Sequence, residues 1–432
     1  MTVAVFVLSL LAAMAIGMPI AYALLVCGVA LMGFLAATTT VVSFDSQILA
    51  QRFVEGADNF PLLAVPFFLL AGEFMNAGGL SRRIVAMAMA WVGHWRGGLG
   101  YVAVMAAVIM ASLSGSAIAD TAALAALLIP MMRSAGYDVG RSAGLIASGG
   151  IIAPVIPPSI GLIIFGVAGN VSITKLFLAG IVPGILMGLA IGLTWWWVAR
   201  RENVPSGRRY SLRERGRATA DGVLALALPV IIIGGMKMGV FTPTEAAVVA
   251  AVYSFLVGRF VYGELRWGAL YGLMLSAGKT TAVVMFLVAA AMVSAWLITV
   301  ANIPTEVARM LEPFMGHKIL LMAVIMLLIV LIGTALDFTP TVLILTPVLM
   351  PVVIKAGIDP VYFGVLFIMC NAIGLLTPPV GTVLNVVSGV ARITMDTAFR
   401  GVLPFFYAQL GVLALLVLFP SLVLAPLKWW MR

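Results

Sequence analysis

Apolar stretches separated by short polar ones run through almost the whole chain, and most reach the roughly 20 residues that a helix needs to cross a bilayer. In the first half the pattern predicts five spans: 2–17, 19–36, 60–78, 140–170 and 175–199. In the second half it predicts five more: 221–241, 242–262, 276–301, 360–390 and 400–427. We therefore predict an all-α integral membrane protein.

Two further apolar regions do not fit a single span. Residues 98–133 contain two stretches that are each short for a crossing, divided by the small polar turn around Ser114. Residues 319–355 have the same plan. We expect both to be re-entrant hairpins, because irregular backbone at membrane depth is tolerated only where protein or a water-filled cavity surrounds it. Outside the membrane, 37–58 is polar and 80–96 is amphipathic, which indicates a helix at the interface.

Prolines interrupt one span in each half. The span 140–170 contains Pro154, Pro157 and Pro158, and the span 360–390 contains Pro378 and Pro379. Proline lacks the donor that continues a helix and clashes with the preceding turn, so we expect each helix to open there.

The chain repeats itself. When residues 111–158 are shifted forward by 221 positions they align with 332–379 without a gap, and ten positions are identical, including both members of each Pro-Pro pair. The shift is about half the chain, which indicates two repeats rather than a solenoid. Each copy places Pro, Gly, Ser, Thr and Asp within apolar sequence, a pattern typical of substrate and ion sites in transporters.

The number of crossings sets the relative orientation of the repeats. Each predicted repeat, 1–199 and 221–432, has five crossings, so the second enters the membrane from the opposite side and the repeats are inverted. The arginine-rich loop 200–220 lies in the cytoplasm by the positive-inside rule, and both termini then lie outside. The two hairpins enter from opposite faces, which suits alternating access around a site near the midplane.

Composition agrees with the membrane prediction and excludes other classes. The chain is 63% hydrophobic and 9% charged, with mean hydropathy +1.17, whereas a soluble domain has about 25% charged residues. The net charge of +9 does not indicate nucleic acid, because most basic residues lie in loops that face one side. No P-loop, HExxH or Cys/His metal motif is present, so we predict no catalytic residues and no cofactor.

The hairpin tips and the proline breaks are the candidate ion sites. Hydroxyls and open backbone carbonyls make an oxygen-only ligand set, which suits Na⁺. The first set comprises Ser114, Gly115, Ser116, Ala153, Ile156 and Pro158. The second comprises Gly333, Thr334, Asp337, Thr377, Pro378 and Pro379.

Each set has a structural alternative. The small residues of the first set also allow close helix packing. Asp337, which aligns with Ser116, also fits the N-cap of the second hairpin helix, and for Asp120 capping is the favoured interpretation.

A substrate anion is expected near the same breaks. Opened helices present free N–H groups and positive dipole ends that can hold a carboxylate. Uncharged polar residues close to the broken spans are the candidate contacts: Asn170, Asn371, Asn385 and Ser388.

Three motifs together resemble the large membrane subunit (M subunit) of tripartite ATP-independent periplasmic (TRAP) transporters. They are Gly17-Met18-Pro19-Ile20-Ala21, Ser114-Gly115-Ser116 with Pro157-Pro158-Ser159-Ile160-Gly161, and Leu336-Asp337 with Thr377-Pro378-Pro379-Val380-Gly381. The resemblance covers nearly the whole chain. It implies an elevator-type fold of the ion transporter superfamily and one Na⁺ site per hairpin, carried by Ser114 and Ser116 and by Asp337 and Thr377.

The resemblance also implies partners and a location. These are a separate small four-helix membrane subunit, a periplasmic binding protein that delivers a carboxylate substrate, and the lipid of a bacterial inner membrane. A standalone Na⁺-coupled anion carrier of the same superfamily is the alternative. A membrane-embedded enzyme would require a catalytic cluster that the sequence does not contain.

Overall fold

The computed structural model describes residues 2–38, 45–202 and 204–431. Within those residues every regular element is helical and no β-strand occurs. Ten helical stretches of the described chain are long and apolar enough to cross a membrane. The predicted class, an all-α multi-pass membrane protein, is therefore confirmed. Residues 39–44 of the polar segment 37–58 lie outside the described residues, as does Asn203 of the basic segment.

The described residues of the first half form ten α-helices. They are α1 (Thr2–Ala15), α2 (Ile20–Thr38), α3 (Ser46–Ala57), α4 (Ala64–Ala77), α5 (Leu80–Val92), α6 (Gly98–Ser114), α7 (Ala117–Ser134), α8 (Val139–Gly150), α9 (Ile160–Ala168) and α10 (Ile173–Arg201). Helices α6 and α7 meet at Gly115, and α8 and α9 are separated by nine residues that contain the three prolines.

The second half contains ten more. They are α11 (Leu212–Lys237), α12 (Pro243–Leu256), α13 (Trp267–Val300), α14 (Ile303–Leu311), α15 (Lys318–Ala335), α16 (Phe338–Lys355), α17 (Pro360–Gly374), α18 (Thr382–Ala391), α19 (Met395–Leu418) and α20 (Ser421–Trp430). Cis peptide bonds join Pro157 to Pro158 and Pro378 to Pro379.

Three boundaries differ from the sequence predictions. The segment 200–220 is not one loop, because α10 continues to Arg201 and α11 begins at Leu212, where Ser211 and Glu214 form a capping box. The single helix predicted over 400–427 is two helices, α19 and α20, since Pro420 cannot continue the first. After the predicted span 276–301, residues Ile303–Leu311 form a separate helix, α14.

The helices form two packed groups. In the first group α4 packs against α12, α2 and α3 pack against α13, and α5 packs against α11. In the second group α8 packs against α19, and α15 packs against α17. Elements from the two halves of the chain alternate in both groups, so neither half forms a core without the other.

The amphipathic helix α5 is covered by protein on its apolar face. Seven of its residues are buried, and its neighbours are α6 and α11. Its arginines reach the loop after α12: Arg82 pairs with Glu264, and Arg83 Nη1 lies 2.6 Å from Glu264 Oε1. Arg83 also stacks over the Tyr262 ring at 3.6 Å from the centroid. The apolar stripe that indicated an interfacial helix therefore packs against α6 and α11 within the chain.

Glycines allow α8 and α19 to cross at backbone contact. A Cβ on Gly401 would lie 1.9 Å from the Gly140 carbonyl oxygen, and a Cβ on Gly144 would lie 2.3 Å from the Gly401 carbonyl carbon. Side chains of any size are excluded here, as at other close helix crossings in membranes.

We expect Gly401→Val to separate these helices and to destabilise the protein by about 1–3 kcal/mol, the usual cost of overpacking. The measurement is the midpoint of unfolding of the purified chain in detergent. Gly411→Val is the matched control, since Gly411 lies on the same helix and a Cβ there meets nothing within 4 Å. Equal midpoints for the two variants would contradict a close crossing.

Candidate ion and substrate site

The first hairpin tip lies directly against the first proline break. Gly115 connects α6 to α7 with φ +63°, in the left-handed region that glycine adopts without strain. A Cβ at this position would lie 2.4 Å from the Pro158 carbonyl oxygen. The tip can approach the break only because residue 115 has no side chain.

Asp120 is part of this tip and is not a helix cap, contrary to the sequence interpretation. Ser116 occupies the N-cap of α7 and accepts a hydrogen bond from the Ala119 backbone at 3.4 Å. Asp120 lies one turn further on, is only 1% exposed, and its Oδ1 accepts from Ser114 Oγ at 2.5 Å. Ser114 Oγ in turn accepts from the Ser116 backbone N–H at 3.2 Å.

Three buried polar atoms on α7 and on α8, which packs against it, lack a hydrogen-bond partner among the described residues. They are Asp120 Oδ2, Thr121 Oγ1 and, on α8, Ser148 Oγ. No basic side chain forms an ion pair with Asp120 in the described chain. A buried carboxylate without a counter-charge is costly, and either protonation or a bound cation relieves that cost.

The break opposite this tip offers carbonyl oxygens. Ser159 caps α9 by accepting from the Leu162 backbone at 3.1 Å, and its hydroxyl donates to the Pro154 carbonyl at 2.5 Å. No described N–H bonds to the carbonyls of Ala153, Ile156 or Pro158. Of these residues Ala153 is fully buried and Ile156 is 6% exposed. Oxygens of this kind are what small hard cations prefer as ligands.

The second tip contacts the second break through backbone groups. The Val380 N–H donates to the Thr334 carbonyl at 3.2 Å, and a Cβ on Gly374 would lie 2.7 Å from the Gly333 carbonyl carbon. Thr377 lies within the break, and its hydroxyl donates to the Gly374 carbonyl at 2.8 Å. The residues predicted as a second ion site thus belong to one tip and the break that faces it.

Asp337 stands at the N-cap position of α16 but makes no capping hydrogen bond with its side chain. Its Oδ1 accepts from Thr382 Oγ1 at 3.4 Å, which links the tip to the start of α18. Asp337 is only half-buried, and Pro378 and Pro379 are exposed, whereas Pro157 and Pro158 are buried. The two tips therefore differ in access to solvent.

Three of the four substrate candidates lie close to the second tip. Asn371 is buried, donates from Nδ2 to the Phe338 carbonyl at 2.7 Å, and leaves its Oδ1 without a partner among the described residues. Asn385 is exposed and donates to the Val380 carbonyl at 2.6 Å, while the Ser388 hydroxyl donates to the Asn385 carbonyl at 2.9 Å.

Asn170 is separated from the breaks. It follows α9 at the end remote from the prolines and adopts φ +51°, a conformation for which Asn is suited at helix ends. This left-handed position at the end of a helix explains why the residue is asparagine, and no bound ligand is needed to explain it.

The two tip-and-break pairs meet at one point. Gly161, in the first turn of α9, faces the Phe338 ring, and a Cβ at residue 161 would lie 2.6 Å from that ring. In addition α7 packs against α18 and α16 packs against α9, so each hairpin touches the broken helix of the other half. Such crossed pairs of opened helices and hairpins within a membrane define a permease of the secondary-transporter class.

Comparison with known proteins identifies the family. The chain belongs to the DctM component family of the tripartite ATP-independent periplasmic transporters, whose sequence profile matches residues 7–422. It is 58% identical over 429 residues to the large permease protein of the 2,3-diketo-L-gulonate TRAP transporter of Escherichia coli (strain K12), covering 99% of this chain and 100% of that protein. A putative TRAP transporter large permease protein of Haemophilus influenzae is 54% identical over the same coverage.

A solved structure shares the fold. The YdaH transporter of Alcanivorax borkumensis superposes with a TM-score of 0.67 at 16% identity, covering 92% of this chain and 97% of the other. The resemblance to the TRAP family is thereby confirmed, and the relatives are transporter permease subunits rather than enzymes.

Proposed function

We propose that this TRAP permease subunit imports an organic acid across a bacterial inner membrane and that Na⁺ drives the import. The observation that carries this proposal is the buried Asp120 beneath the first tip, with Ser114 on one oxygen and nothing described on the other. A monovalent cation held by this carboxylate and the Ala153 and Ile156 carbonyls would neutralise the site and close the tip onto the break.

The second tip supplies a different ion site. Its ligand set is Asp337, Thr377 and the backbone of Gly333 and Thr334, and it opens toward solvent. An ion enters and leaves an accessible site more readily than a buried one. We therefore propose that the second tip binds the ion that closes the hairpin over the substrate.

The substrate proposed is a sugar acid. The relative from Escherichia coli carries the name of a keto sugar acid and is 58% identical over 99% of this chain. The region where Gly161 meets Phe338 offers the N-terminus of α9 for a carboxylate and the amides of Asn371 and Asn385 for hydroxyl or carbonyl groups. Amides are suited to that task because each one donates and accepts.

The movement proposed is of the elevator type between two inverted repeats. The group formed by α6–α10 and α15–α19 contains both tips and both breaks, and α2, α4, α12 and α13 pack beside it. The corresponding contacts α7 with α18 and α16 with α9 support the inverted relation of the two halves. In this scheme the group that contains the tips and breaks carries the ions and the substrate past the other helices.

The family is described as tripartite, so we propose two partners: a separate small four-helix membrane subunit and a periplasmic binding protein. The test is uptake of 2,3-diketo-L-gulonate into liposomes that hold the chain and its small subunit. We expect uptake only with an inward Na⁺ gradient and the binding protein outside. Uptake with a K⁺ gradient would contradict Na⁺ coupling, and full uptake without the binding protein would favour the standalone carrier.

A further inference from the structure

A large groove lies away from the tips, between α6 and α10 and the end of α5. Its volume is about 1250 Å³, more than the roughly 300–1,000 Å³ of sites that hold drug-sized ligands. The walls are aliphatic, from residues such as Val104, Val108 and Leu189, and none of the lining residues is acidic. Gly188 and Gly192 of α10 face α6 and leave the space open.

One end of the groove is aromatic and basic. Trp95 and Arg96 line it from the segment after α5, and Trp196 and Arg200 line it from α10. The Arg200 guanidinium stacks over the Trp196 ring at 4.0 Å from the centroid and makes no ion pair with a described residue. A stacked guanidinium still presents its N–H edge, which matches the geometry of a phosphate.

We propose that this groove binds an anionic phospholipid, with an acyl chain along α6 and α10 and the phosphate between Arg96 and Arg200. Tryptophan and arginine at one end of an apolar groove are the combination found at the headgroup level of a bilayer. That end adjoins the arginine-rich segment 200–220, so the lipid belongs to the leaflet on the side of this segment. The charge of the described lining residues indicates the lipid class: the basic ones are arginines and none is acidic, which favours a headgroup with net negative charge.

Arg201 provides a control for the role of Arg200 in binding the lipid headgroup. Arg201 stacks over Trp197 at 4.3 Å, as Arg200 does over Trp196, but Arg201 and Trp197 do not line the groove. A diffuse attraction of anionic lipid to the basic segment would treat the two arginines alike, whereas a site in the groove would depend on Arg200 alone.

The experiment is native mass spectrometry of the full chain released from micelles with equal amounts of dioleoyl phosphatidylglycerol and dioleoyl phosphatidylcholine. We expect the wild-type chain to retain phosphatidylglycerol preferentially. Arg200→Gln should lower the preference roughly fivefold, and Arg96→Gln with Arg200→Gln roughly 30-fold. Arg201→Gln should leave it unchanged. Equal retention of both lipids by the wild type, or equal effects of Arg200→Gln and Arg201→Gln, would overturn the proposal.

The apolar part of the groove is tested separately. A Cβ on Gly192 would lie 3.9 Å from Val104 Cγ1, so Gly192→Leu is tolerated sterically at its Cβ and fills the groove beyond it. We expect this variant to retain less of both lipids, while Gly234→Leu, where a Cβ meets nothing within 4 Å, behaves as wild type. If a helix of the small subunit occupies the groove instead, adding that subunit will expel the bound lipid from the wild-type chain, and the proposal fails.

Discussion

Asp120→Asn is expected to weaken the Na⁺ response strongly while leaving the fold intact. The substitution keeps the size of the side chain and one oxygen for the Ser114 hydroxyl, but it removes the carboxylate charge beneath the first tip. An interaction with a charged group contributes about 1.5–3 kcal/mol, so Na⁺ activation of uptake should weaken roughly 10–100-fold.

Thermal unfolding distinguishes loss of the ion from loss of the fold. In the wild type, Na⁺ should raise the unfolding midpoint, because a ligand that binds only the native state stabilises it. In Asp120→Asn this shift should shrink to the part that the second tip contributes, and the Na⁺-free midpoint should equal or exceed that of the wild type, because the substitution removes a buried carboxylate that has no counter-charge.

Asp359→Asn is the matched control. Asp359 caps α17 by accepting from the backbones of Val361 and Tyr362 at 2.8 and 3.1 Å, and Asn caps a helix about as well as Asp. A wild-type Na⁺ shift in Asp120→Asn would remove this carboxylate from the ion site.

Gly115→Ala is expected to hold the first tip away from its break. The new methyl would overlap the Pro158 carbonyl oxygen, which lies 2.4 Å from the Cβ position, and the left-handed backbone adds about 1–2 kcal/mol of strain. If Na⁺ binds between the tip and the break, its carbonyl ligands move apart, and uptake at a fixed Na⁺ concentration should fall roughly tenfold or more.

Gly136→Ala distinguishes the effect of backbone strain from the effect of steric overlap with a neighbouring residue. Gly136 has φ +79°, and a Cβ there meets nothing within 4 Å, so this variant has the same backbone strain without the clash. We expect it to be modestly destabilised and to transport normally. Equal loss of uptake in both variants would show that strain alone acts, and the contact between tip and break would then have no part in transport.

The helical class and the interruptions of the helices follow from local sequence. The span lengths follow from the apolar stretches, and helices end at Gly115 and around Pro157 and Pro378 because glycine and proline act on their own neighbours. The motifs at these places are also the ones that resemble the M subunit, and they therefore indicate the family.

What the sequence could not supply was the set of contacts between distant segments. The sequence favoured a capping role for Asp120 because this residue follows the tip by one turn. Only the structure shows that Asp120 is buried and that its carboxylate accepts a hydrogen bond from Ser114. The signal was present, since an N-cap residue precedes the first turn of its helix, as Ser116 does, whereas Asp120 lies four residues later, inside that turn. Asn170 was the opposite case: it is near the break in sequence, and a whole helix, α9, separates it from the break in space.

The crossing of the hairpins between halves also sets the order of events during synthesis. Helix α7 packs against α18, which follows it by about 250 residues. At about 5–20 residues per second the first tip, with its carboxylate, waits roughly 12–50 s before the helix that covers it has been made. The newborn chain therefore holds its first hairpin in the membrane for that time without the helix from the second half that packs against it.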